Sequence, residues 1–274
     1  METGGKIGAR SPFWRRALYR VFASRHFRRK CRTDDGVFEA YVSPSSYLKV
    51  LDLRVSLVDR VHQRFIRDWV EPDAVVWDVG SNLGLFSLPA ALKATRGRVY
   101  AFEPDVDLAG NLLRSLRLNQ NKDLNVSVLC AAVSNVDGTA AFQISKYSRA
   151  MNKLEAVGRW HESQVVVEEL RSVVTMRIDT LSKTLVPPTV VKIDVEGAEV
   201  EALEGGEVTI SNYRPTILIE GPSELKDPMR AFFEKYDYVI LDGGAEHQSP
   251  LRDPVWDTVA VPREKFAKRA SVIS

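Results

Sequence analysis

Three apolar runs of this sequence each end in a carboxylate, which is the clearest sign of chemistry in the chain. Asp78 ends the first run and is followed by Gly80 and Gly84, while Glu103 and Asp194 end the other two. An apolar run that leads into a turn is typical of a buried strand in a parallel sheet. Ligands of open α/β sheets bind at the carboxyl ends of such strands. The pattern therefore predicts a small-molecule site at one edge of a sheet.

The spacing of the first two runs indicates a nucleoside-like ligand. Glu103 lies 19 residues after Gly84, about where α/β nucleotide folds carry the carboxylate that binds ribose hydroxyls. The glycines tolerate positive φ and let a ligand approach the backbone. A simpler alternative is that Glu103 only caps the helix that starts near Pro104.

The third run brings a second set of charges to the same edge. Asp194 and Glu196 follow the strand, and Lys192 lies two residues before Asp194 on the same strand face. An unpaired buried ammonium is costly, so we expect Lys192 to pair with Asp194 or with Glu220. Carboxylates grouped in this way also suit a divalent cation, and Asp194, Glu196 and Glu220 are the candidate ligands.

These segments, in this order, resemble the FkbM family of S-adenosylmethionine-dependent methyltransferases. The resemblance extends from about Val75 to Glu220, where the segment from Arg214 matches the fifth strand of the family. Its most specific part is the block Lys-Ile-Asp-Val-Glu-Gly-Ala-Glu that begins at Lys192. The implied fold is an α/β class I methyltransferase, Rossmann-like, with a seven-stranded, mostly parallel sheet, helices on both faces and an antiparallel last strand.

The resemblance also implies where the cofactor S-adenosylmethionine binds. The backbone from Gly80 to Gly84 accommodates the methionine end, Glu103 accepts hydrogen bonds from both ribose hydroxyls, and Ala131 lies at the adenine edge. Ordinary packing of small residues is the alternative for Ala131. The implied cofactor-binding residues are Asp78, Gly80, Asn82, Gly84, Glu103 and Ala131.

Methyl transfer to a hydroxyl also needs a group that removes the hydroxyl proton from the acceptor molecule. Asp194 is the main candidate for this general base, with Lys192 and Glu196 as further catalytic candidates. Related sugar O-methyltransferases use Mg²⁺, so a magnesium site is a possible alternative role for Asp194. His161 and His247 fall in loops near the predicted site edge and are alternative bases. The expected reaction is O-methylation of a sugar, glycolipid or polyketide-type acceptor.

Two other functions are compatible with parts of the sequence. A nicotinamide-dependent oxidoreductase can have the same fold, but Gly80-Ser81-Asn82-Leu83-Gly84 does not fit the G-x-G-x-x-G fingerprint. A non-catalytic membrane-docking protein would not need carboxylates at all three strand ends. No motif indicates nucleic-acid binding.

The pattern of apolar residues divides the chain into four parts. Residues 1–45 are interpreted as a basic extension with an amphipathic helix near 12–23, and 46–70 as a helical lead-in. Residues 71–262 form the cofactor-binding domain, in which 145–170 is a polar, irregular insertion. Residues 263–274 are interpreted as a polar tail.

Charge is distributed unevenly over these parts. The chain carries a net charge of +2, yet residues 1–32 contain ten Lys or Arg and one acid, +9, which leaves −7 for the remainder. This basic arm predicts peripheral contact of residues 10–32 with an anionic membrane. Packing on the acidic body and an organellar transit peptide are alternatives. Cys31 and Cys130 show no disulfide or metal spacing, which favours a reducing, cytoplasmic location.

Overall fold

The computed structural model describes residues 26–44, 56–145, 149–155, 166–246 and 249–273. The amphipathic helix predicted near 12–23, the first part of the helical lead-in, and His161 and His247 lie outside these residues. The strands of the described chain are β1 Phe27–Thr33, β2 Gly36–Val42, β3 Val75–Val79, β4 Arg98–Phe102, β5 Val126–Leu129, β6 Ala132–Val133, β7 Gly138–Ser145, β8 Lys153–Leu154, β9 Val167–Met176, β10 Val190–Ile193, β11 Thr216–Glu220, β12 Tyr238–Asp242 and β13 Asp257–Pro262.

The helices alternate with the strands of the central sheet. They are α1 Arg60–Trp69, α2 Ser87–Lys93, α3 Val106–Leu116, α4 Ile178–Leu181, α5 Glu199–Glu204, α6 Glu207–Tyr213, α7 Lys226–Lys235 and α8 Arg263–Ile273. Within the described part of the chain, none of them combines the length and apolar character needed to cross a membrane.

The central sheet has seven strands in the order β12-β13-β11-β10-β3-β4-β5. All neighbours are parallel except β13, which runs antiparallel to β11 and β12. The predicted seven-stranded α/β fold with an antiparallel last strand is confirmed. Its strands are nearly continuous apolar runs because both faces are covered: Trp77 and Val79 pack in the core on one face, and Val76 packs on the other.

The helices begin where the sequence supplies an N-cap or a proline. Asp59 caps α1 by accepting a hydrogen bond from the Val61 amide, and Asp105 caps α3 through the Asp107 amide. Pro89 lies in the first turn of α2, where a missing N–H is tolerated. The lead-in helix is described as helical only from Arg60.

The predicted basic extension over 1–45 is wrong for its last part. β1 and β2 form an antiparallel hairpin that packs on the domain. Phe38, Ala40 and Val42 are buried against Leu108 and Leu112 of α3. These alternating apolar residues are the period-2 pattern of a strand with one buried face, and they make residues 27–42 part of the domain.

The insertion predicted as irregular over 145–170 also needs correction. A four-stranded sheet, in the order β6-β9-β7-β8, uses part of that segment. β7 pairs with β9 in an antiparallel register from Gly138 to Ser145. β9 begins at Val167, within the segment predicted as irregular. Residues 146–148 and 156–165 are outside the described ranges.

The predicted polar tail over 263–274 is a helix as far as Ile273. Lys265 of α8 donates a hydrogen bond to the Arg214 carbonyl, 2.6 Å away, and the Arg269 guanidinium stacks 4.2 Å from the centre of the Trp69 ring. Long basic side chains can bury their stems on apolar surface while the charge stays wet. The polar composition of this segment therefore did not exclude a docked helix.

Candidate active site

The turn after β3 is held in left-handed backbone conformations. Gly80 has φ +79°, Asn82 +50° and Gly84 +77°. A Cβ on Gly80 would lie 1.9 Å from the backbone oxygen of Asp194. Glycine is therefore required here because β10 approaches too closely for any side chain. The turn and the end of β10 form one rigid unit.

Glu103 joins that turn to the end of β4. One carboxylate oxygen accepts a hydrogen bond from the Asn82 amide and the other from the Asp105 amide, each at 2.8 Å. The side chain is buried, and this burial raises the pKa of Glu103 to about 8 despite the two amide donors. The carboxyl group is thus poised between its neutral and charged forms near neutral pH.

Lys192 lies under the turn and holds three groups together. Its side chain is 4% exposed. Its Nζ donates to the Gly80 carbonyl at 3.0 Å and to the Asp194 carboxylate at 3.1 Å, and it lies 3.6 Å from Asp78. Burial alone would lower the pKa of Lys192, but Asp194, Asp78 and Glu220 raise it well above its usual value. The ammonium therefore stays charged, and it pairs with Asp194 as the sequence predicted.

The two aspartates around Lys192 differ in environment. Asp78 is fully buried and accepts a hydrogen bond from Ser87 at the start of α2. The side chain of Asp194 is 34% exposed at the rim of a cavity. Burial and the nearby Glu220 raise the pKa of Asp194, while Lys192 opposes this rise. Asp78 thus has the position of a structural anchor, and Asp194 is the accessible carboxylate.

The cavity beside Asp194 has an empty volume of about 650 Å³, part of it open to solvent. Of the predicted site residues, Gly80, Asn82, Glu103, Ala131, Asp194 and Glu196 line it. Asp78, Gly84, Lys192 and Glu220 do not line the cavity, and they support its walls from behind or beside it.

Within the described ranges, no three His, Cys, Asp or Glu side chains are spaced to hold a metal ion. Glu220, one of the predicted ligands, instead bonds His62 at 2.7 Å. Glu196 has φ +54° and begins the turn that Gly197 completes at φ +106°.

This geometry can be compared with known proteins. The sequence model of one protein family, the methyltransferase FkbM domain, matches residues 78–240, which are more than half of the chain. The chain belongs to the FkbM methyltransferase family. The match includes the glycine turn, Glu103 and the Lys192 block, on which the resemblance rested. It favours S-adenosylmethionine-dependent methyl transfer over the nicotinamide-dependent alternative.

Individual relatives of this FkbM domain cover it only in part. Hexuronic acid methyltransferase AglP of Haloferax volcanii is 33% identical over 146 residues, which are 52% of this chain and 54% of the relative. AMB antimetabolite synthetase AmbE of Pseudomonas aeruginosa is 45% identical over 69 residues, 22% of this chain and 3% of the relative. A crystal structure of an FkbM methyltransferase from Methylobacillus flagellatus has a TM-score of 0.46 at 22% identity and covers 69% of this chain and 43% of that one. The chain thus spans about half the length of the first relative and less of the others.

The structure also contains a charge pair that the sequence pattern did not reveal. His62 of α1 reaches Glu220 at the end of β11, and both side chains are mostly buried. Burial alone would lower the pKa of His62, but Glu220 outweighs it and raises the pKa, with a smaller contribution from Asp59 and opposition from Lys192. For Glu220, His62 and Lys192 outweigh burial and lower the pKa. The sequence did contain one sign that His62 faces the domain, because His62 precedes the buried Phe65 by one helical turn and so lies on the same helix face.

Replacing His62 by glutamine is expected to lower the free energy of unfolding most between about pH 4.5 and 6.5. The raised pKa of His62 stabilises the fold below its unfolded value of 6.5, and this contribution disappears as the pH rises through the folded pKa. The lowered pKa of Glu220 stabilises above 4.5 and is lost as the pH falls. We expect a loss of about 1.5–3 kcal/mol in that window. Denaturation across pH measures it, and a loss that does not vary with pH would contradict the ion pair.

The second feature missed in the sequence is the roof of the cavity. Arg149 and Asn152, which lie between β7 and β8, line the cavity and bond the buried carboxylate of Asp105 at 2.6 and 2.9 Å. Arg171 of β9 adds a bond to Asp105 at 3.1 Å. Asp105 therefore ties the roof to the start of α3. The polar residues Arg149 and Asn152 of the segment predicted as irregular are therefore the ones that attach this segment to the domain.

Proposed function

We propose that this protein transfers a methyl group from S-adenosylmethionine to a hydroxyl of a sugar-type acceptor. The observation that carries the proposal is the accessible Asp194 carboxylate, held by Lys192 at the rim of a cavity that also contains Glu103. The hexuronic acid methyltransferase relative supports a sugar acceptor. Glycolipid and polyketide-type hydroxyls are the alternative acceptors for the same reaction.

The residues of the cavity fit the proposed cofactor. Glu103 offers a carboxyl group to the ribose hydroxyls, and the polar turn from Gly80 to Asn82 suits the methionine end. Leu108, Ala131, Phe142 and Leu154 supply apolar walls of the kind that a purine ring requires. Bound S-adenosylmethionine supplies an electrophilic methyl group on a sulfonium.

Asp194 then has the position of the general base. Its raised pKa makes the carboxylate a better proton acceptor than an ordinary aspartate, and Lys192 fixes its orientation. In this proposal Asp194 would accept the hydroxyl proton while the acceptor oxygen takes the methyl group, whose bond to the sulfonium sulfur breaks so that S-adenosylhomocysteine leaves. The turn at Gly80, in contact with β10, keeps the cofactor wall and the base at a fixed separation.

The direct test is methyl transfer with labelled S-adenosylmethionine. Purified protein is incubated with uronic acid glycosides, neutral glycosides and a non-sugar alcohol, and the products are analysed by mass spectrometry. The proposal predicts a mass increase of one methyl group on the glycosides and none on the alcohol. Cofactor binding without transfer to any sugar would reject the acceptor class.

A role for Mg²⁺ through Asp194, Glu196 or Glu220 predicts loss of transfer in EDTA and recovery with added Mg²⁺.

Replacing Glu103 by alanine is expected to weaken S-adenosylmethionine binding by about 1.5–3 kcal/mol, roughly 10- to 150-fold. The change removes the acceptor for two ribose hydroxyls. Calorimetry with S-adenosylhomocysteine measures the effect, and exposed Glu234→Ala on α7 is the control. Unchanged affinity would remove Glu103 from the ribose site.

The same carboxyl group should link binding to pH. Its pKa of about 8 means that it holds a proton at neutral pH before binding, while two hydroxyl donors favour its charged form. Binding is therefore expected to release a proton and to strengthen as the pH rises toward 8. Calorimetry in buffers of different ionisation enthalpy measures this release, which Glu103→Ala should abolish.

We further propose that residues 10–32 bring a cytoplasmic enzyme to an anionic membrane. Each basic residue near such a surface contributes about 1 kcal/mol. The described part of this arm restricts the proposal, because β1 begins at Phe27 and packs through Cys31. The bound segment is therefore the one before the hairpin. An organellar transit peptide remains the alternative for this arm.

Deletion of residues 1–25 is expected to abolish sedimentation with anionic vesicles. The deletion keeps β1 and removes six Lys or Arg. The full chain should pellet at low salt and be released as salt screens the charges. Neutral vesicles are the control. Equal pelleting of both proteins would contradict the proposal.

A further inference from the structure

We propose that a groove beside Trp256 binds a sugar ring of the acceptor; this inference rests on the proposed function. The Trp256 groove is formed by Pro222, Lys226, Met229, Pro254 and Trp256, and its empty volume is about 800 Å³, part of it open to solvent. It is separate from the cavity that contains Glu103 and Asp194.

The position of the Trp256 groove relates it to Asp194. β11 ends at Glu220 and β13 begins at Asp257, so both sides of the groove rise from the carboxyl edge of the sheet. The Gly221 amide donates to the Trp256 carbonyl at 3.0 Å and closes its floor. β11 is the direct neighbour of β10, and adjacent strands are about 4.8 Å apart.

The strand order therefore arranges the edge in a line. Glu103 follows β4, Gly80 follows β3, Asp194 follows β10, and the Trp256 groove lies between the end of β11 and the start of β13. The proposed donor site lies at one end and the groove at the other. A saccharide that presents a hydroxyl to Asp194 extends in the direction of the groove.

The chemistry of the groove is that of a sugar-binding surface. The Trp256 side chain is 54% exposed, and among described aromatic residues only Tyr213 is comparably exposed, at 51%. The face of an aromatic ring is negative and attracts the slightly positive C–H bonds of a sugar face. Pro222 and Met229 also line the groove, but both are buried, so Trp256 is the exposed aromatic ring there.

The rim of the Trp256 groove is charged. Lys226 bonds Asp253 at 3.2 Å, and Arg230 bonds the same carboxylate at 2.6 Å. Lys226 and the exposed Glu224 line the groove, and charged groups of this kind hydrogen-bond the hydroxyls at the edge of a sugar. An acyl chain in the groove would remove these charges from water without compensation. A saccharide can stack its C–H face on the Trp256 ring and hydrogen-bond the charged groups through its hydroxyls.

Saturation-transfer NMR with methyl β-D-glucuronide and methyl β-D-glucoside tests the inference on full-length protein saturated with S-adenosylhomocysteine. Wild type should transfer magnetisation to the sugar ring protons. Trp256→Ala should lose at least about nine-tenths of that transfer, and Trp256→Phe should keep most of it. Tyr213→Ala is the matched control, because it removes an exposed aromatic ring at the opposite edge of the sheet. All variants should bind S-adenosylhomocysteine like wild type, which verifies their folding.

The outcomes separate this inference from the function on which it rests. Equal sugar signals in wild type and Trp256→Ala would overturn the Trp256 groove while leaving a sugar acceptor in place. No signal from either glycoside would overturn the groove together with the acceptor class. In the methyl-transfer assay, a rise in KM of about tenfold with kcat nearly unchanged is expected for Trp256→Ala. A fall in kcat alone would also overturn the assignment.

Discussion

Replacing Asp194 by asparagine is expected to reduce methyl transfer by about 10²- to 10⁴-fold while leaving cofactor affinity within a factor of about two. Asparagine keeps the shape of the side chain but cannot accept the hydroxyl proton. The cofactor should be little affected because the groups proposed to bind it, Glu103 and the Gly80 turn, follow other strands. The wild-type rate should fall as the pH drops through the raised pKa of Asp194.

Two comparisons make the Asp194 result decisive. Glu196→Gln changes the other carboxylate at the cavity rim and should keep most of the activity. A large loss there and a small one in Asp194→Asn would transfer the base to Glu196. Since asparagine also takes one anion from buried Lys192, thermal unfolding must be measured alongside activity. Retained activity in a folded Asp194→Asn protein would make Asp194 a structural partner of Lys192.

The sequence predicted the central sheet well because burial on both faces leaves a direct mark. The strands at Val75, Arg98, Val190 and Thr216 are short apolar runs, and few other structures tolerate such runs next to glycine turns. Once those strands are parallel, their ends must meet at one edge. The proximity of Asp78, Glu103 and Asp194 therefore followed from topology alone.

The parts that were wrong or missing depend on contacts between distant segments. β1 has the sequence Phe-Arg-Arg-Lys-Cys-Arg-Thr, and its four basic residues hide the alternation of a strand. Its place in a hairpin becomes clear only from its antiparallel pairing with β2. The Asn121 side chain bonds both backbone groups of Glu39, a contact 82 residues apart. His62 likewise meets Glu220 only in the folded chain. Local periodicity contains no information on such pairs.

Replacing Gly80 by alanine is expected to impair both the cofactor wall and the catalytic edge. A Cβ at this position would lie 1.9 Å from the Asp194 carbonyl oxygen, far inside contact distance, and φ of +79° is unfavourable for any L side chain. Left-handed strain costs about 1–2 kcal/mol and forced overpacking about 1–3 kcal/mol. We therefore expect a loss of about 2–5 kcal/mol in the free energy of unfolding, since neither β3 nor β10 can move independently of the sheet.

Gly110→Ala is the matched control for this prediction. Gly110 lies inside α3, where a Cβ meets nothing within 4 Å, and alanine there should stabilise by about 0.5–1 kcal/mol. Chemical denaturation and calorimetry with S-adenosylhomocysteine measure both variants. Gly80→Ala should lose stability and at least about tenfold in cofactor affinity, whereas Gly110→Ala should lose neither. If Gly80→Ala binds the cofactor like wild type, the turn and β10 are not rigidly joined, and the fixed separation proposed between the cofactor wall and Asp194 does not hold.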